Sequence, residues 1–96
     1  MANTVRHDAE RSRYELVVDG VVVGVADYSL HGGTWVFPHT EIVRTHRGRG
    51  LGAELVRGAL DDVRRAGGKV VPRCWYVAEF IEDHPDSRDP VSDSTA

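Results

Sequence analysis

A single cysteine, Cys74, stands among the 96 residues, so no disulfide can form within the chain and no multi-cysteine metal site can be built. The histidines do not make up for it, since His39, His46 and His84 lack metal-ligand spacing and no metal is expected. Long apolar runs are missing as well. No stretch approaches the ~20 apolar residues of a membrane helix, and Met1-Ala2-Asn3-Thr4 lacks the apolar run of a signal peptide. An excess of positive charge is also absent. The formal net charge of −3 argues against a surface built to coat nucleic acid. The expectation is a cytoplasmic protein with neither a membrane nor a nucleic-acid partner.

What is present is an ordinary globular balance, 41% hydrophobic and 28% charged, in a length that gives one domain. A core of this size is marginal, so a ligand or a second copy of the chain would add materially to stability, and either a monomer or a homodimer is open. Charge is unevenly spread. Arg44, His46, Arg47 and Arg49 crowd one short stretch, while acidic residues dominate the C-terminal part. A local basic patch on an acidic protein suits a small anionic ligand.

Residues 5–11 give no periodic signal. Tyr14, Leu16 and Val18 then alternate with Arg13, Glu15 and Val17, the period of a half-buried strand. Asp19-Gly20 predicts a hairpin turn into a second strand from Val21 to about Leu30, where Gly24 marks a bulge or a close backbone approach. Gly32-Gly33 predicts the next turn, and Thr34 to Val43 a third strand. After Gly50 the period changes: Leu51, Leu55, Ala59 and Val63 fall four apart and predict a helix ended by Gly67-Gly68. Lys69-Val70-Val71 reads as a short strand, and Trp75 to about Asp83 as a second helix closed by His84-Pro85. The strand–helix–strand order predicts that the Thr34–Val43 and Lys69–Val71 strands run parallel and splay apart. From Asp86 onward little can be buried. The reading is an α+β domain over residues 5–91, in the order βββ-α-β-α, with 92–96 as a tail.

Arg47-Gly48-Arg49-Gly50-Leu51-Gly52 joins a strand to the long helix. A helix start offers unpaired N–H groups and partial positive charge to a phosphate, and glycines let the backbone approach it. A P-loop would need Lys and Ser or Thr where Leu51 and Gly52 stand. Gly48, Gly50 and Ala53 fit a dinucleotide fingerprint, but that belongs to a βαβ unit and not to a meander. Arg44, Arg47 and Arg49 either contact phosphate or form a solvated turn.

Arg47-x-x-Gly50-x-Gly52 resembles the R/Q-x-x-G-x-G/A signature of the GNAT acetyltransferase superfamily. His39-Thr40-Glu41-Ile42, Ala59-Leu60-Asp61, Pro72-x-Cys74-x-Tyr76-Val77 and His84-Pro85 further resemble its short stand-alone members. The resemblance implies a mixed sheet and a cosubstrate, acetyl-CoA. Its pyrophosphate would lie on Arg47, Gly48, Arg49, Gly50, Leu51 and Gly52, and its arm on the backbone of Ile42 and Val43. It implies transfer of an acetyl group to an amine, from a small molecule or a protein. The superfamily's usual acid–base pair does not carry over: Glu41 lies closer to the loop than the usual glutamate, and Ile81 falls where the tyrosine would be. Two candidate catalytic residues remain. Cys74, before a helix, either carries the acetyl group as a thiolate or merely packs. Glu41 is either a general base acting through water or an outward strand carboxylate, and His39 either relays protons or is structural. Tyr76 is expected in the core and Trp75 at the groove rim. The rival to an enzyme is a non-catalytic module that binds or senses acyl-CoA.

Overall fold

The alternation beginning at Arg13 does produce a strand, and a computed structural model, which describes residues 3–84, adds another before it. The elements are β1 (Asn3–Asp8), β2 (Arg13–Val18), β3 (Val21–His31), β4 (Thr34–Ile42), a 3-10 turn (Arg44–His46), α1 (Leu51–Arg65), β5 (Lys69–Val71) and α2 (Trp75–Asp83). The five strands form one sheet in chain order. β1 to β4 are an antiparallel meander, and β5 returns beside β4 in parallel, Thr34 opposite Lys69 and Val36 opposite Val71. α1 is the crossover that a parallel return requires.

Residues 5–11, read as aperiodic, contain most of β1. Its side chains toward α1 are largely polar because α1 offers them polar partners: Asn3 Nδ2 donates to Glu54 Oε1 at 3.2 Å, and His7 Nδ1 lies 3.6 Å from Asp62 Oδ2. Between them Val5 packs on Gly58, where a Cβ would collide with it.

Both helices contribute to one core on one face of the sheet. Tyr14, Leu16, Val23, Ala26, Phe37 and Val70 meet Leu55, Val56, Ala59, Leu60 and Val63 of α1 and Val77, Phe80 and Ile81 of α2. α1 ends where Gly67 N–H bonds Arg64 O and Gly68 N–H bonds Val63 O, a closed C-terminal turn. Strand alternation puts Arg6, Glu15, Val25 and Glu41 on the opposite face, in cross-strand register. There Glu15, 1% exposed, is clamped by Arg6 at 2.6 Å and Arg13 at 2.8 Å. The Arg6 hydrogen bond first, with Arg13 beside it, holds the Glu15 carboxyl below its usual range despite burial.

Two irregularities shape the site. On β3 an extra residue, Val23, bulges between Leu16 and Val17. On β4 three steps from Val36 to His39 oppose two from Ser29 to Asp27, so one residue near Phe37–Pro38 is extra. Bulges bend and twist a strand, and β4 turns away from β5 here. The parallel ladder stops at Val36 and Val71, and one bond beyond it, Cys74 N–H to Phe37 O at 2.8 Å, is followed by the start of α2.

Candidate functional site

Past that junction no strand among the described residues pairs with the edge of β4, and a cleft of about 370 Å³ lies between it and the helices. Thr40, Ile42, His46, Arg47, Gly48, Gly50, Leu51, Gly52 and Tyr76 line it. The floor is the start of α1. Gly48 and Gly50 adopt φ of 80° and 75°, left-handed values that glycine reaches without strain. Gly50 is the N-cap residue and provides no side chain to cap the helix. Its carbonyl accepts from Glu54 N–H at 3.3 Å, which leaves the amides of Leu51, Gly52 and Ala53 without helical acceptors.

Arg47 binds the loop to the strand. Its Nε donates to Ile42 O at 2.9 Å, while its backbone N–H closes the 3-10 turn on Arg44 O at 3.3 Å. Arg47 also lines the cleft. Glu54, the acidic residue of the first turn, is engaged by Asn3.

The β4 wall follows from its pairing. Val43 N–H donates to Val23 O at 2.8 Å, the bond that flanks a non-hydrogen-bonded pair, here Gly24 with Ile42. The N–H and C=O of Ile42 therefore point to the open edge, and so do those of Thr40, two residues along and opposite Ala26. Val43 has its amide committed to the sheet. The remaining wall is Tyr76, whose hydroxyl end lies against Gly52; a Cβ at Gly52 would fall within its van der Waals surface.

Of the expected ligand-binding residues, Ile42, Arg47, Gly48, Gly50, Leu51 and Gly52 come together in the cleft, while Arg49 and Val43 are exposed outside its lining. Glu41 alternates to the opposite face, where its Oε1 lies 3.3 Å from His39 Nε2 and both side chains are more than half exposed. Cys74 is half-buried against the core and outside the cleft lining. Trp75 is largely exposed beside Tyr76. Thr40 and Tyr76 are lining residues that the sequence did not assign to the ligand, and His46 comes from the basic stretch. Tyr76, expected in the core, stands in the cleft because the first turn of α2 overhangs the start of α1.

Among the described residues no helix is long and apolar enough to cross a membrane. The sequence model of the GCN5-related N-acetyl-transferase family matches residues 13–90. Protein NATD1 of Mus musculus is 31% identical over 83 residues, covering 84% of this chain and 76% of that protein. Protein NATD1 of Homo sapiens is also 31% identical, with 74% of its length covered. Among solved structures, a GCN5-like protein of Staphylococcus aureus superposes with a TM-score of 0.71 at 15% identity, over 96% of this chain and 91% of that one. A GNAT family acetyltransferase from Brucella melitensis in complex with acetyl-CoA gives 0.57 at 22% identity, over 75% of this chain and 54% of that one. At such identities the structural likeness speaks for the fold: a mixed, curled five-stranded sheet with two helices, of the α+β class.

Proposed function

Because the chain belongs to the GCN5-related N-acetyltransferase family, we propose that its cleft binds acetyl-CoA and that it moves the acetyl group to an amine. The observation that carries the reading is the uncapped first turn of α1 behind two left-handed glycines, facing a free strand edge. Acetyl-CoA would supply the acyl group activated as a thioester. The amides of Leu51, Gly52 and Ala53, with the Arg47 guanidinium, hold the pyrophosphate. The outward N–H of Ile42 holds the arm, as a preorganised donor. Tyr76 brings its hydroxyl to the phosphate end of the cleft, against Gly52, where it donates to the pyrophosphate, and Ile81, 7% exposed in the core, supplies no proton donor. Overall the amine nitrogen replaces sulfur on the acyl carbon, and the proton it releases balances the leaving thiolate.

Direct attack by the amine is favoured over a route through Cys74, since that thiol packs against the core. Glu41 serves an acceptor arriving on the helix-free face, where its carboxylate is open to water. The second reading is a non-catalytic acyl-CoA-binding module, favoured by the exposure of Glu41 away from the cleft.

Calorimetric titration with acetyl-CoA, CoA and ATP tests the binding. Both CoA species should bind and ATP should not. At a hundredfold its dissociation constant, ligand should stabilise the fold by roughly 2.7 kcal/mol. A folded protein that ignores CoA defeats the proposal. Release of free thiol from acetyl-CoA with a panel of amines separates the enzyme from the binding module.

A further inference from the structure

Two buried side-chain atoms have no hydrogen-bond partner among the described residues, Trp35 Nε1 and Thr40 Oγ1. The Trp35 indole sits beside the Tyr28 hydroxyl, whose ionisation it eases, so that N–H has a polar neighbour. Thr40 differs, because it lines the cleft. A buried hydroxyl left unpaired costs free energy that valine, its apolar isostere, would avoid.

We infer that Thr40 is a binding residue for the arm of acyl-CoA, accepting from or donating to an amide of that arm. This rests on the acetyl-CoA reading above. Position along β4 selects the ligand group. Ile42 is tied to the phosphate-binding loop by Arg47 Nε, and Thr40 lies two residues, ~7 Å, farther from the loop. It also lies on the loop side of the Phe37–Cys74 junction. An extended ligand whose pyrophosphate rests on α1 therefore presents its amide-bearing arm to Thr40, between the phosphates and the thioester. A change of χ1 rotamer on binding would bring the hydroxyl to the cleft, beside the outward N–H of Thr40 itself. Bound ligand gives the hydroxyl the partner that the protein withholds.

The test compares acetyl-CoA with 3′-phospho-ADP, which has the phosphates and no arm. Thr40→Val should weaken acetyl-CoA about two- to tenfold, leave 3′-phospho-ADP unchanged, and leave the empty protein melting no lower than wild type. Thr40→Ser should restore acetyl-CoA binding. Equal affinities for acetyl-CoA in wild type and Thr40→Val overturn the inference while the acetyl-CoA site survives. Equal loss of both ligands also overturns it, since the effect is then not on the arm. Wild-type protein that binds neither probe overturns the inference together with the reading beneath it.

Discussion

The Cys74 amide donates to the Phe37 carbonyl at 2.8 Å, so the cysteine serves the junction of sheet and helix through its backbone. Substitution keeps that bond. Cys74→Ala should hold acetyl-CoA affinity and turnover within about twofold and cost on the order of 1 kcal/mol of stability from lost packing. Steady-state rates and melting of the same variant check this. Loss of most turnover in a folded Cys74→Ala protein would restore the covalent route.

Gly50→Asp should fold and fail to respond to CoA. Aspartate is one of the few residues that tolerate a left-handed backbone, and space around Gly50 is open. Its charge would stand where the pyrophosphate is held. A normal CoA-induced melting shift in this variant would move the site elsewhere.

Gly52 presents the opposite case, because its backbone is helical and the neighbour is the obstacle. Gly52→Ala should cost about 1–3 kcal/mol through overpacking against Tyr76. Combining it with Tyr76→Ala should recover much of that, a non-additivity that melting of the single and double variants reads directly. Additive losses would mean that the two residues do not touch in solution.

Stability should fall at both ends of the pH scale. Glu15, held below its ordinary pKa, contributes stability above its unfolded value that is lost as acid protonates it in the fold. Burial first, then the 2.7 Å bond to Asp62, raise the Tyr14 phenol, and burial raises Tyr28. Their contribution is present below the unfolded tyrosine pKa of ~10 and lost as pH climbs toward the folded value. Glu15→Gln should flatten the acid limb, lower neutral stability by on the order of 2 kcal/mol, and leave the alkaline limb alone. Melting temperature against pH is the measurement.

The meander, the helix period after Gly50 and the parallel return of Lys69–Val71 were legible because each rests on local pattern or chain order. β1 was not. An edge strand whose inward residues are Asn3, Val5 and His7 shows no apolar alternation, since two of its three contacts with α1 are polar. The glycine loop was legible as the uncapped start of a helix, and of the two readings of Glu41 the outward strand carboxylate is the one that alternation from Ile42 already gives. Tyr76 was hidden by its neighbours. It falls on the apolar stripe of Val77, Phe80 and Ile81, and only the docking of α2 over α1 shows that the stripe's first member leaves the core.

The parallel pairing of Thr34 with Lys69 joins residues 35 positions apart, whereas the meander closes through turns of a few residues. Hairpins of that kind form early, and distant pairings bear a larger chain-closure cost and come late. The cleft needs both the meander and the crossover, so it should come into being late in folding. A ligand held there would find nothing to bind in the transition state. It should slow unfolding in proportion to its stabilisation and leave the refolding rate where it was. In kinetic terms the last part of the chain to assemble is the clasp, and the ligand holds the clasp shut.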